Sequence, residues 1–492
     1  MRNHQLVRLL PSITILAIAA CTSDGGAPNA PLRATGSASH AGSPGGGSTS
    51  RPVNVSDDTT AQNETPIAIN PLNPQNMLIG ANDWNYNGGC SFNTTFDGGK
   101  TWTKTLPNGF IPAITRFTND PSVPGTGSYD LGGDPAVAFG PDGTAYFACF
   151  GYKGTSAALF LSRSTDGGKT WPTNPAQLAL VTAFNGGGKA GGSNGQFPDH
   201  DAIHVAKDGT VYLTWAQFNG LGAHSPVYLA TSTDGGRSFN KPVTVSSGSV
   251  GSDQDQRIVT DPRTGTAYVT FDNTLQGHKG VAMYVAVSSD RGRTWGKPIQ
   301  FARFQNPVCL FPPDCFNISG TPFRGPGSYP APAFDPVRNR LYVAYSDIVN
   351  GRAQVLLTWA STAHLDQWST PMIVAPSAGD RINVEISIEP GSGRIDVMTN
   401  DRSWSGNSLF DVTYLSSGDG GVTWSAKRVT ASSWDPSAFG VPESDGTIEP
   451  FIGDYDGIAS LPGGAAIAWT GPGKTFGALP TNLEAYFAFV AP

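Results

Sequence analysis

An all-β ring, a seven-bladed β-propeller of four-stranded blades, is the fold class the sequence predicts, and three observations predict it. An eight-residue turn recurs as TFDGGKTW (95–102), STDGGKTW (164–171), STDGGRSF (232–239), SSDRGRTW (288–295) and SGDGGVTW (417–424). Its aspartates, Asp97, Asp166, Asp234, Asp290 and Asp419, are spaced by 69, 68, 56 and 129 residues, the last being about two periods. Seven times the chain also shows a short apolar strand, a tight turn and a second apolar or aromatic strand. These begin at Pro66, Pro135, Ala202, Arg257, Pro332, Ile386 and Gly457. Finally, Gly 61 and Pro 39 make up a fifth of the 492 residues, charged residues are only 14%, and no long stretch carries the 3.6-residue apolar period of a helix.

Each element has a local cause. In the recurring turn an aspartate accepts backbone N–H groups, glycines take positive-φ positions, and Thr-Trp opens the next strand with an apolar anchor. The double-length interval implies one decayed copy, STAHLDQW at 361–368, which keeps Trp368 and loses the glycines. The 442 residues from Arg51 to Pro492 give about 63 per blade, enough for four strands. The seventh repeat ends with only three, the last running from Leu483 to Val490. RPVNVS at 51–56 matches KPVTVS at 241–246, the strand that follows the third turn, so the N-terminal strand is expected to close the last blade and remove its open edge.

Three segments are expected. Residues 1–21 hold Arg2 and Arg8, an apolar run from Leu9 to Ala20, and Cys21, the layout of an export signal too short to span a bilayer. Ile18-Ala19-Ala20-Cys21 resembles the lipobox of bacterial lipoproteins, which implies lipidation of Cys21, cleavage before it, and attachment to a membrane through that lipid alone. Residues 22–50 are Gly, Ser, Ala, Pro and Thr with almost no large apolar side chain and read as a flexible tether reaching roughly 30 Å. Residues 51–492 form the propeller, expected as a monomer. With Cys21 set aside, four cysteines remain, as an oxidising compartment favours: Cys309 and Cys315 are expected to staple a loop, leaving Cys90 and Cys149 to join the first two repeats. A net charge of −7 and no basic stripe argue against a nucleic-acid partner.

The recurring turn resembles the Asp-box (BNR) repeat, S-x-D-x-G-x-T-W, of the sialidase-like β-propellers. That resemblance implies a sialidase-like fold and a glycoside hydrolase. Its catalytic pieces would be Tyr455 as nucleophile, Glu449 as its helper and Asp83 as acid/base, with Arg257 and Arg381 facing an anion. Two features depart from the family: seven repeats stand in place of six, and Glu64 stands where a sialidase places its first-blade arginine. A carboxylate there repels an anionic sugar.

Strands alternate direction, so the aspartate–glycine turns share one face. The long loops (106–131, 185–198, 303–328, 431–450) share the other, where a site at the mouth of the central channel is expected. Aligning the inner strands places an acid near the start of six: Glu64, Asp134, Asp201, Asp255, Glu385 and Asp456. Asp199, Asp253 and Asp454 lie two residues before three of these and so on the same strand face. Such acids either bind a cation such as Ca²⁺ or a hydroxyl-rich ligand, or merely cap loops repeated from blade to blade. Three functions remain open. The mouth recognises and cleaves a glycan through paired carboxylates, Asp201 among them, or through Tyr455 with a carboxylate; no cofactor is required for this. It binds a glycan or protein without turnover, with Trp84, Tyr86 and Trp404 as sugar platforms. Or the acids hold a structural cation.

Overall fold

The computed structural model describes residues 50–57, 60–84, 89–104, 114–116, 125, 127–154, 156–185, 196–219, 224–246, 250–273, 282–305, 323–324, 327–442, 448–473 and 482–492. The signal with Cys21, the tether up to residue 49, Tyr86, Cys309 and Cys315 lie outside them.

Seven antiparallel four-stranded sheets form a ring. In blade 1 the inner strand is broken into Gln62–Asn63 and Ile67–Ile69, followed by Met77–Asp83, Ser91–Thr95 and Thr103–Lys104. The first strand of each blade packs on the first strand of the next, and that of blade 7 packs on blade 1, so the ring is closed. Blade 7 joins Gly457–Leu461, Gly464–Pro472 and Leu483–Val490 to the N-terminal strand Val53–Asn54, which pairs Val53 with Phe487 and Asn54 with Tyr486. The closure expected from RPVNVS is the one found.

There is no single core. Each junction between neighbouring blades has its own apolar cluster, such as Phe92, Phe147 and Trp171 between blades 1 and 2, or Leu213, Trp215 and Leu161 between blades 2 and 3. This is how a long chain of short strands buries enough surface. The disulfide Cys90–Cys149 adds a covalent link across the first junction.

The recurring turns explain how neighbouring blades meet. Asp166 Oδ1 accepts the N–H groups of Lys169 and Thr170, each at 3.0 Å, and its Oδ2 accepts the Thr170 hydroxyl at 2.6 Å. Ser164 closes the cage by accepting Gly168 N–H at 2.9 Å. Asp97 and Asp419 repeat this pattern, and Trp102, Trp171 and Trp424 each donate the indole N–H to the carbonyl of the second turn glycine. That glycine is where one blade touches the blade before it. Gly99 has φ +85°, and a Cβ there would lie 2.0 Å from the ring of Phe487 in blade 7. The decayed copy keeps only the anchor, Trp368 donating to the Leu365 carbonyl at 2.8 Å.

Both ends of the ring lie on the turn face. Ser50 N–H bonds the Phe489 carbonyl at the far end of the third strand of blade 7, and Lys427 Nζ holds the Pro492 carbonyl at 2.7 Å. The mouth, where the inner strands begin, is on the opposite face.

Candidate functional site

The inner strands do not start as regular strands. In blades 2, 3, 4 and 6 the pairing with the second strand shifts by one residue, between Gly133 and Ala136, Asp199 and Ala202, Gln254 and Arg257, and Ile382 and Glu385. These are β-bulges, and the first extra residue of each is left-handed: Asp134 (φ 55°), His200 (φ 56°), Asp255 (φ 61°) and Asn383 (φ 52°). Glu64 (φ 58°) takes the same place in the broken strand of blade 1, and Gly453 (φ 95°) precedes the inner strand of blade 7. A non-glycine residue held left-handed costs about 1–3 kcal/mol, and bulges of this kind re-aim side chains beside functional sites.

The bulges correct the alignment read from sequence. The equivalent positions hold Glu64, Asp134, His200, Asp255 and Asn383, whereas Asp201 and Glu385 sit one and two residues further on. The expectation that acids two residues apart share a face also fails. In blade 7, Asp454 lies 3.5 Å from Arg324 Nη2, while Asp456 turns away and accepts Thr65 Oγ1 at 3.0 Å, Asn383 Nδ2 at 2.8 Å and Thr470 N–H at 2.9 Å. Asp456 thus ties blades 1, 6 and 7 together. Asp253 is fully buried, and neither of its side-chain oxygens has a hydrogen-bond partner among the described residues. Among the described residues no group of three His, Cys, Asp or Glu side chains is placed to hold a metal ion.

What the bulges gather is a buried polar group under the mouth. Asn82 donates to Glu64 Oε2 at 2.6 Å and accepts from Asp134 N–H at 3.0 Å, and Glu64 Oε1 accepts Asp454 N–H at 3.1 Å. Asp134 accepts the N–H of His200, whose Nδ1 lies 2.9 Å from Asp255 Oδ1. The His200 ring stands between Tyr329 and Tyr455, with centroids 5.2 and 5.0 Å away. Asp199 accepts Gln254 Nε2 at 2.8 Å. Both oxygens of Asp201 and Nε2 of His200 are buried with no partner beyond Asp201's own backbone N–H.

Above this group stand half-open side chains. Arg257 lies over the Tyr455 ring at 5.0 Å and 3.7 Å from Glu385, both side chains being 17% exposed. Arg324 reaches Glu449 at 3.6 Å as well as Asp454, and stacks on Phe451 at 3.8 Å.

Burial dominates the electrostatics. It pushes Glu64 up to about 8, with the Asp454 charge adding to it. Burial likewise lifts Asp199 to about 7, and Glu385 to about 7 against the pull of Arg257. Asp134, Asp201 and Asp255 are driven well above the carboxylate range by burial first and neighbouring acids second. Burial, then Arg257, holds His200 well below its ordinary value, so the imidazole is neutral. These carboxyls retain protons into the neutral range, which lets like charges gather.

The other sequence candidates fall elsewhere. Arg381 does not face an anion: Nε bonds Asp401 at 2.8 Å, Nη1 bonds the Ala375 carbonyl at 2.5 Å, and the side chain is 3% exposed. Asp83 is buried on the second strand of blade 1 and accepts from Gln62. Tyr455 is at the mouth, but it is buried and its hydroxyl donates to the Pro135 carbonyl at 3.1 Å. Trp84 packs into a mouth-side apolar cluster with Trp434 and Phe451, while Trp404 is 38% exposed. Sequence reasoning missed His200, Arg324 and Tyr329. The first had a signal, its place between Asp199 and Asp201; the other two lie in a long loop, where position depends on distant contacts.

Fold and site together define a seven-bladed propeller with a buried acid–histidine–tyrosine group under an arginine-edged mouth. No protein-family model matches the chain, and no curated protein matches it. Solved structures do. An ulvan lyase, described as a new family of polysaccharide lyase and bound to -[GlcA(1-4)Rha3S]-, is 12% identical with a TM-score of 0.50, covering 90% of this chain and 96% of its own. A Hadza microbial sialidase is 16% identical (TM-score 0.44; 77% and 75% covered), and a Penicillium chrysogenum α-L-arabinanase complexed with arabinobiose is 15% identical (TM-score 0.45; 75% and 98% covered). These neighbours are carbohydrate-active propellers; at such identities the likeness is one of fold.

Proposed function

We propose that the chain is an exported, lipid-anchored propeller that binds a glycan across its mouth and cleaves it by acid–base chemistry. The observation that carries this reading is the convergence of strained bulge residues on one buried, partly unpartnered polar group beneath Arg257, Glu385, Arg324, Glu449 and Asp454. Strain of this kind persists where the surrounding structure holds it for a purpose. Glu385, with a pKa near 7, carries a proton to a leaving glycosidic oxygen at neutral pH. Arg257 and Arg324 hold the sugar's oxygens, and the acids accept its hydroxyls. Attachment through Cys21 suits this arrangement, since Ser50, the first described residue, lies on the turn face, opposite the mouth.

A second reading, recognition without turnover, is favoured by one observation. Tyr455 is buried and bonded to Pro135, so the tyrosine–glutamate chemistry of a sialidase is not assembled, and both mouth arginines already face carboxylates.

The test is to present the full chain with linear arabinan, ulvan and sialyllactose. Binding would be followed by calorimetry, and cleavage by new reducing ends and by the ultraviolet absorbance of unsaturated uronates. Cleavage of one of them is the expected result; binding alone supports the second reading, and neither binding nor cleavage rejects both.

A further inference from the structure

We propose that the seam between blades 3 and 4 holds a second binding site, on the turn face, for a phosphate or sulfate monoester borne on one small polar unit such as a monosaccharide. It is separate from the mouth and takes a different ligand from the glycan bound there.

The site begins as a gap in the packing. Where blade 7 meets blade 1, the Phe487 ring packs on Trp102 with centroids 5.2 Å apart, and a Cβ on the second turn glycine, Gly99, would lie 2.0 Å from it. Phe92 packs likewise on Trp171, at 4.6 Å, where blade 1 meets blade 2. Between blades 3 and 4 it is Leu229 that belongs to the cluster on which Trp295 packs, and a Cβ on Gly292 would lie 3.0 Å from it. A leucine fills less space than a phenyl ring, and a cavity of about 140 Å³ stands beside it. Leu229, Val243 and Gly292 form its apolar side, and the exposed Asn240, Lys241 and Arg293 its polar side. Trp295 differs too. Trp102, Trp171 and Trp424 donate the indole N–H to the second turn glycine, whereas the buried Trp295 Nε1 has no acceptor among the described residues.

The charge around the cavity is positive. Segments 232–241 and 288–297 carry five cations, Arg237, Lys241, Arg291, Arg293 and Lys297, against two acids, Asp234 and Asp290. Both acids are engaged within their own turns, Asp234 Oδ2 accepting the Ser238 hydroxyl and Asp290 Oδ2 the Thr294 hydroxyl, each at 2.6 Å. Arg291 is taken by Asp208 at 3.0 Å. Lys241 and Arg293 line the cavity and have no side-chain hydrogen bond or ion pair among the described residues.

These parts select the ligand. A guanidinium fork and a point-charge ammonium on one cavity suit a tetrahedral oxyanion. The apolar side and the room for several waters exceed what a bare ion fills, yet fall short of a drug-sized ligand. Asn240 already gives Nδ2 to Thr231 Oγ1 at 3.0 Å, which leaves its amide oxygen to accept a hydroxyl of the attached unit.

The test titrates the full chain with glucose 6-phosphate, glucose 6-sulfate, inorganic phosphate and glucose, followed by calorimetry. The wild type is expected to bind the two esters in preference to the other two. Lys241→Gln and Arg293→Gln are each expected to weaken ester binding about tenfold, as loss of a charged hydrogen bond does. Leu229→Phe, which brings to this seam the ring that fills its neighbours, is expected to abolish it. Lys100→Gln, at the matching turn position of the seam that Phe487 fills, is expected to leave it unchanged. No ester binding by the wild type overturns the proposal, as does an affinity that survives both charge variants or falls equally in Lys100→Gln. Inorganic phosphate bound as tightly as the esters shows a surface ion only and overturns it as well. Should Leu229→Phe not fold, the exposed charge variants decide. None of these side chains belongs to the mouth, so the glycan reading stands or falls separately.

Discussion

Deleting residues 51–57 is expected to lower the melting temperature of the whole ring by ~10 °C or more, because the N-terminal strand is the fourth strand of the last blade. The deletion removes the Val53–Phe487 and Asn54–Tyr486 pairs and the bond from Val55 N–H to the Ala485 carbonyl. It also strips Val55, 4% exposed, out of the cluster between blades 7 and 1. The greatest loss falls on Glu484. This side chain is fully buried, and Ser56 Oγ donates to it at 2.5 Å while accepting Ala485 N–H at 2.9 Å. Leaving a buried acceptor without one of its donors costs about 1–3 kcal/mol, and the open edge of Leu483–Val490 becomes a template for aggregation. Ser56→Ala removes the hydroxyl bond to Glu484 while leaving the strand in place. Calorimetric melting of the three proteins checks the prediction, and a deletion variant within two or so degrees of wild type contradicts it.

Stability is expected to fall as pH rises from about 5 to about 8, the reverse of a protein held by salt bridges. Glu64 and Asp253 are pushed to about 8, and Asp199, Glu385 and Asp456 to about 7, all by burial first. A carboxyl whose folded pKa is raised keeps its proton in the fold after the unfolded chain has lost it. Its contribution is therefore fully present below the ordinary carboxylate range and lost as pH rises through 7 to 8. The turn aspartates act in the opposite direction at lower pH. Asp97, Asp290 and Asp419 are lowered to about 2, Asp97 and Asp290 mainly by a threonine hydroxyl bond and Asp419 by its turn hydrogen bonds against the opposing effect of burial. Their contribution is lost as pH falls through that value. The two sets leave a maximum at about pH 4–5, with a fall of ~10 °C in melting temperature by about pH 8. Calcium titration at the upper end discriminates between explanations. A flat profile there, or a melting temperature raised by Ca²⁺, would mean that the acids are ionised around a cation, as the sequence alone allowed.

Much of the ring was legible because its causes are local. An aspartate two residues after a hydroxyl and two before a glycine specifies the turn wherever it occurs, so five copies marked the period, and the seven strand–turn–strand repeats led to the blade count. The N-terminal closure was legible because RPVNVS repeats KPVTVS. The site was less so. A strand's side chains alternate with a period of two, and one extra residue reverses every side chain beyond it. Counting from the acids therefore placed Asp201 where the fold places His200. Arg257 and Arg381 look equivalent as sequence, yet Asp401 takes the second out of the mouth. Arg324 depends on a contact no local rule foresees: its N–H bonds the Pro450 carbonyl, more than a hundred residues on.

The central claim is that recognition happens at the bulged mouth and not on the face of aspartate–glycine turns. It is tested most directly by measuring the affinity of the full chain for its glycan in two single variants, Glu385→Gln at the mouth and Asp234→Asn in a turn. The account predicts that Glu385→Gln weakens binding by about tenfold, as loss of a hydrogen bond to a charged or polar partner does, with its melting temperature kept. Asp234→Asn is predicted to lower the melting temperature and leave affinity alone. Affinity unchanged in the first variant and lost in the folded second would move the site to the other face.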